Sequence, residues 1–186
     1  MTDDVPGQSH FGPAVDALDT AAERLLDLVR GHPIADRLFL AANHAGDFSL
    51  IWHVLSVARG LVRRRPDQVI VLAAALGIES LVVNQGLKRI VRRQRPTVSG
   101  DERYQVRRPS TSSFPSGHAS SAAFNASLMI AWDGKRWAPL WISVAAIVGI
   151  SRAYVRIHHA SDVLGGAVVG LVLARLMRPV VRRLAP

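Results

Sequence analysis

Apolar residues along this chain fall into blocks separated by charged turns. Residues 14–30 place Val15, Leu18, Ala22, Leu25 and Leu26 on one helical stripe, with Asp16, Asp19, Glu23 and Asp27 on the other face. That spacing predicts an amphipathic helix stopped by Gly31 and Pro33. Its charge keeps it out of a bilayer interior, so it lies on a membrane surface or packs on the body of the protein. Five apolar segments follow, at 48–62, 68–87, 116–132, 138–155 and 160–177. A membrane-crossing helix needs about 20 mainly apolar residues, and each segment reaches that only with its polar ends included. Two patterns favour spans. Gly166 and Gly170 form a GxxxG pair beside Gly165 and Ala167, suited to close helix packing in lipid. Trp52, Trp132, Trp137 and Trp141 lie near segment ends, where an interfacial belt is expected. The expected fold is all-α, an integral-membrane helical bundle of about five spanning helices plus an N-terminal amphipathic helix. A soluble helical bundle with short buried helices is the alternative that periodicity leaves open.

The chain length fits one domain. Within it, residues 1–12 read as a disordered tail, 13–47 as the amphipathic helix and a connector, 48–178 as the transmembrane domain and 179–186 as a basic tail. The absence of cysteine excludes disulfides, a thiol nucleophile and a thiolate metal site. Net charge is +9, unevenly placed: residues 1–47 carry eight acids and three Arg, and residues 48–186 carry six acids and twenty Lys and Arg. The cations cluster at the ends of apolar segments rather than along one polar face, which suits membrane loops more than a nucleic-acid footprint. Arg59, Arg63, Arg64 and Arg65, then Lys135 and Arg136, then Arg175, Arg178, Arg182 and Arg183 fall on one side of a five-span bundle. The positive-inside rule makes that side cytoplasmic. The amino-terminal tail, the 88–115 loop and the 152–160 turn then face outward in a multi-pass cell (inner) membrane protein. The loop at 88–108 is basic too, an exception explained if its charges bind phosphate.

Three clusters on that outer side carry the chemistry. Lys88, six residues and then Arg95-Pro96 close the second segment; Pro115-Ser116-Gly117-His118 opens the third; Ser151-Arg152, five residues, His158, three residues and Asp162 cross the last turn. Residues four apart share a helical face, so Asp162 can accept the Nδ1 proton of His158 and leave Nε2 as a free lone pair. An imidazole so oriented is a nucleophile or a base. His118, on another helix, can serve as acid and then as base. A helix opened by Pro115 presents free N–H groups to an anion, and Gly117 lets the backbone approach it. Lys88, Arg95 and Arg152 supply cations for non-bridging oxygens. Two imidazoles, a helix N-terminus and three cations suit phosphoryl transfer, where positioning and charge stabilisation do most of the catalysis.

In order and spacing, these clusters resemble the three signature motifs of the type 2 phosphatidic acid phosphatase superfamily, which includes lipid phosphatases, polyprenyl pyrophosphate phosphatases, glucose-6-phosphatase and vanadium haloperoxidases. The motifs span residues 88–162, and the helical pattern extends the resemblance to about 178. The resemblance implies that His158 attacks phosphorus to form a phosphohistidine, that Asp162 orients it, and that His118 protonates the leaving oxygen and then activates water. It assigns phosphate binding to Lys88, Arg95, Arg152, the Ser116 hydroxyl and the Gly117 amide, with no metal or other cofactor. Two departures stand out. The first span of many relatives is replaced by the 14–30 helix, and His159-Ala160 follows the nucleophile where Tyr-Pro is common. His159 reads as a turn residue.

Among the remaining polar residues, Glu79 sits inside the second segment and is expected to form a buried structural pair, with His53 the suggested partner. Asn84 is placed to steady Lys88 one turn on. Asn43 reads as a helix cap, with His44 beside it near the headgroups. The expected partners are membrane lipids and a lipid phosphate substrate. A polyprenyl pyrophosphate is favoured over a polyprenyl phosphosugar phosphate, phosphatidylglycerophosphate or phosphatidic acid. A vanadium haloperoxidase-like enzyme and a non-catalytic basic membrane protein are the readings from other classes.

Overall fold

The computed structural model describes residues 5–96, 103–104, 106–107 and 109–184, which form helices and turns with no strand among them. In chain order these are α1 (Pro13–Asp27), α2 (Pro33–Gly46), α3 (Leu50–Arg63), α4 (Pro66–Ile90), α5 (Gly117–Asp133), α6 (Ala138–Tyr154), α7 (Ala160–Leu176) and a short α8 (Arg178–Arg183). Proline in the first turn starts α1, α2, α4, α6 and α8, where its missing N–H has no helical partner to lose. Toward its end α4 widens into π-helical turns at Leu81–Leu87.

Helix α5 runs through the centre, with Ala122, Phe124, Leu128 and Met129 buried against Trp52, Leu72 and Val148 of the surrounding helices. It packs most closely on α7. A Cβ at Gly166 would lie 2.3 Å from the Ser116 carbonyl oxygen, and one at Gly170 would lie 2.2 Å from that of Ser120. Any side chain there would push the two helices apart, so the GxxxG pair does what its spacing predicts. The outward faces are apolar: Ile70 and Ile78 of α4, Ile142 of α6, and Leu164, Leu171 and Leu176 of α7 are all exposed. Such a belt is costly in water and is at home in hydrocarbon. On length and hydropathy, two helices among the described residues meet the spanning requirement: α4, and the helix from Lys135 to Tyr154. The 17-residue α5 and α7 extend about 25 Å at 1.5 Å per residue, and the 14-residue α3 about 21 Å, against a hydrocarbon core of about 30 Å.

Several expectations change. Residues 33–46 are not a connector but a second helix, α2, packed on α6. The tail is partly ordered: Gly7 accepts a hydrogen bond from Arg93, and Phe11 meets Phe114 edge-on, while residues 1–4 lie outside the described set. The basic C-terminal tail begins inside α8, and residues 185–186 lie outside the described set. In α1 the inward residue is Asp19, at 5% exposure, whereas Leu18 and Leu25 of the apolar stripe face out. An ion pair with a buried arginine outweighs the pull of the stripe. Trp52, Trp132 and Trp141 are buried in the core rather than forming a belt, and of the four only Trp137 is exposed. Two of the indoles find partners inside, Trp132 Nε1–H on the Val181 carbonyl and Trp141 Nε1–H on Asp133.

The bundle has two distinct ends. At one, Arg59 pairs with Asp133 at 2.8 Å and Gln68 donates to the Leu184 carbonyl, tying α3, α4, α5 and the C-terminus together. At the other end lie the α2–α3 corner, the end of α4, the start of α5 and the α6–α7 turn, so every sequence motif is gathered there.

Candidate functional site

A cavity of about 590 Å³ at the motif-bearing end is lined by Lys88 of α4, Gly117 and His118 of α5, Arg152 of α6 and His158 of the α6–α7 turn. The two imidazoles come from separate elements and face the same space. His118 is the second residue of α5. Ser116 is the N-cap of that helix, fully buried, its Oγ accepting from the Ala119 N–H at 3.4 Å. The hydroxyl is thus engaged in capping and does not line the cavity. Gly117 sits against α4: a Cβ there would lie 3.3 Å from Asn84 Oδ1 and 3.8 Å from Lys88 Nζ. Asn84 itself donates to Ser80, while Lys88, 8% exposed, makes no hydrogen bond among the described residues. An unpaired buried ammonium beside a helix N-terminus is a strong anion-seeking combination.

His158 lies before α7 rather than on it, so its relation to Asp162 is not the expected helical one. Asp162 is the third residue of α7, and its Oδ2 accepts from the His159 N–H at 2.9 Å, which makes His159 the N-cap and a turn residue. The same oxygen lies 3.6 Å from His158 Nδ1, too far for a firm hydrogen bond. On the other side of the ring, Arg95 Nη1 is 3.1 Å from Nε2. A guanidinium only donates, so Nε2 accepts and the ring proton belongs on Nδ1, facing Asp162. That is the tautomer a nucleophile at Nε2 requires. Burial, followed by the adjacent Arg95 charge and against the pull of Asp162, holds the His158 imidazole well below its ordinary pKa. Arg95 also donates to the carbonyls of Pro109, Ile157, Thr111 and Ser112, and its own pKa is lowered by burial.

Four residues that sequence reasoning missed complete the site. Arg93, with only 2% of its surface exposed, donates to Asp162 Oδ1, Ser161 Oγ and Asp19 Oδ2, each at 2.7 Å. Helix α1 is thereby linked through Asp19 and Arg93 to the carboxylate behind His158. Asp47, just beyond α2, places Oδ1 3.2 Å from His118 Nε2 and 3.8 Å from Arg152 Nη1. Its contact with His118, and then Arg152, holds its carboxyl below the usual aspartate range. Gly46 leaves no room for a side chain, since a Cβ would lie 2.5 Å from His118 Cδ2. The signal for Asp47 and Gly46 was an acid at the mouth of a segment on the motif-bearing side; Arg93 was hidden in a run of arginines, and Asp19 in a polar helical face.

Asn43 is not a cap. It is buried in α2, and its Oδ1 accepts from Arg152 Nη1. Glu79 is buried as expected but takes Ser120 Oγ–H as its partner rather than His53. His44 is exposed and does not line the cavity. No cluster of His and acidic residues suited to a metal ion occurs among the described residues.

Comparison with known proteins identifies relatives in sequence and in structure. The model of the PAP2 superfamily matches residues 68–185. The decaprenylphosphoryl-5-phosphoribose phosphatase of Mycobacterium tuberculosis is 32% identical over 137 residues, covering 73% of this chain and 74% of that protein. Phosphatidylglycerophosphatase B of Bacillus subtilis is 27% identical over 177 residues, 89% of this chain and 84% of its own. In structure, a transmembrane PAP2 type phosphatidylglycerolphosphate phosphatase from Bacillus subtilis superposes with a TM-score of 0.72 at 25% identity, covering 95% of this chain and 90% of its own. Aquifex aeolicus LpxE shares the fold, with a TM-score of 0.70 at 24% identity over 87% of this chain and 95% of its own. With its motifs gathered around one cavity and its family model matched over most of its length, this chain belongs to the PAP2 superfamily.

Proposed function

We propose that this protein is a membrane lipid phosphatase that works without metal through a phosphohistidine at His158. The observation that carries the reading is that His118 and His158, from different elements, line one cavity with Lys88, Gly117 and Arg152. The His158 Nε2 lone pair forms a bond to phosphorus as the bond to the leaving oxygen breaks. That oxygen keeps the electron pair and takes a proton from His118. Water then attacks phosphorus and gives a proton to the neutral His118; the P–N bond breaks, its pair returns to Nε2, and inorganic phosphate departs. Asp162 balances the charge that His158 acquires in the intermediate, and Arg93 holds Asp162. Lys88, Arg95, Arg152 and the amide of Gly117 bind the non-bridging oxygens. Ser116 acts by capping α5, which keeps that amide aimed at the phosphate.

The lipid substrate is drawn from a polyprenyl pyrophosphate, a polyprenyl phosphosugar phosphate, phosphatidylglycerophosphate or phosphatidic acid, presented from the extracytoplasmic side. The names of the two phosphatases similar in sequence, which act on a phosphorylated sugar lipid and on a glycerophosphate lipid, support phosphomonoesters over the pyrophosphate that sequence reading favoured. The test is turnover by purified protein in detergent. His158→Ala should reduce phosphate release to background, chelators should leave the wild type active, and vanadate should inhibit. Full activity in His158→Ala would refute the assignment, and loss of activity to a chelator would point to a metal.

A further inference from the structure

In the reading above, on which this inference rests, His158 attacks from one side and the leaving oxygen departs in line on the other, toward His118. One carboxylate, Asp47, stands beside His118. Its Oδ1 lies 3.2 Å from His118 Nε2, and Ser49, His53 and Arg107 line the same cavity. The corner that carries Asp47 is set firmly. Gly46 presses on the His118 ring with no space for a Cβ, and the chain turns at Phe48 and Ser49 with left-handed φ of 53° and 58°. The nearest cation to Asp47 other than His118 is Arg152, at 3.8 Å, which belongs to the cradle for non-bridging oxygens. Arg107 lies over the Phe48 ring, 4.8 Å from its centroid. The strongly basic groove beside the site, of about 880 Å³, is lined by Lys88, Arg89, Arg92, Arg93 and Arg95 and by neither imidazole. It draws an anionic headgroup in without facing the leaving oxygen.

A leaving oxygen that itself belongs to a phosphate, as in a diphosphate, would place that charge beside the Asp47 carboxylate. A sugar or polyol would instead place hydroxyls there, as donors to the same oxygens. We propose that Asp47 selects the leaving group: the enzyme hydrolyses lipid phosphomonoesters whose phosphate leaves from a carbon-bound hydroxyl of a sugar or polyol, with any further phosphate several bonds away, and it discriminates against lipid diphosphates.

The test compares farnesyl diphosphate with a farnesylphosphoryl pentose phosphate, two substrates with one tail, on purified protein in detergent. In the wild type, kcat/KM for the sugar phosphate should exceed that for the diphosphate by about tenfold or more, a modest outcome for one like-charge contact. Asp47→Asn should shift the ratio toward the diphosphate by about the same factor. Equal use of both by the wild type overturns the proposal. So does an Asp47→Asn protein that loses activity on both in proportion, since Asp47 would then serve only the acidity of His118. Should that variant fail to fold, the wild-type ratio and Asp47→Ser decide. The phosphatase reading is judged separately by whether His158→Ala abolishes phosphate release; a wild type inactive on every phosphate ester overturns both.

Discussion

Arg93 shows how much of this site rests on one buried charge. Its guanidinium joins Asp19 of α1, Ser161 and Asp162 of α7, and the carbonyl of Gly7. Arg93→Met leaves two buried carboxylates without their cation, and breaking such a pair costs about 3–5 kcal/mol. Thermal unfolding in detergent should record that loss. The milder Asp19→Asn should lower kcat with little change in KM, because it loosens Asp162 without touching substrate; an unchanged kcat would show that α1 is structural only. A pH profile probes the nucleophile directly. In the proposed reaction His158 attacks as the neutral ring, and burial keeps its pKa below the ordinary 6.5. Its active form therefore persists into mild acid. The acid limb of kcat/KM, corrected for ionisation of the substrate, should fall below pH 6.5, and a limb at or above that value would contradict the assignment. Spacing and chemistry single out Lys88, Gly117, His118, Arg152 and His158, which the structure brings to one cavity, whereas the Ser116 hydroxyl turns away to cap α5. Asp19, Arg93 and Asp47 were not, because their partners lie far along the chain: nothing local to Asp19 indicates that Arg93 will be its counterion.

Helices differ in how plainly the sequence announces them. The α5–α7 contact is written in Gly166 and Gly170, since only glycine allows the carbonyls of Ser116 and Ser120 to come so near. Gly170→Ala forces those helices apart and should cost about 1–3 kcal/mol, the usual penalty for overpacking. A melting temperature equal to the parent's would show that the bundle yields at no expense. Because α7 also carries Asp162, activity should fall with stability. Helix α2 is hidden in the sequence, since Asp36, Arg37, Asn43 and His44 interrupt its apolar pattern. Those interruptions are partly the function: Asn43 holds Arg152, Gly46 makes room for His118, and Asp47 follows at the corner. Gly46→Ala should displace the His118 ring, lowering kcat more than it raises KM. The tryptophans were misjudged for a related reason, since nearness to a segment end does not say whether the indole turns inward.

At the scale of the whole molecule, the proposed orientation puts the apolar belt in lipid, the basic end in the cytoplasm and the cavity outside. Pairing of Arg59 with Asp133 means that not all of the basic charge is available as an orientation signal, yet Arg63 and Arg64 remain exposed. Because the chain has no cysteine, single cysteines report sidedness cleanly. In intact cells an impermeant maleimide should label Phe48→Cys at the cavity end and spare Arg64→Cys at the other; the reverse pattern would invert the topology. The number of spans was not legible from hydropathy, since helices as short as α3 belong to the same bundle as α4. What the fold does for the site is to bring His118 and His158, from different elements, to one space. The most direct test is to trap the covalent intermediate. A His118→Ala enzyme, slow to activate water, is mixed with a labelled aryl phosphate whose leaving oxygen departs without a proton, quenched in alkali and mapped by mass spectrometry. The account predicts one phosphoryl group on His158 and none when His158→Ala is added. Label on another residue, or turnover by the wild type with no phosphorylated protein at any time, would contradict it.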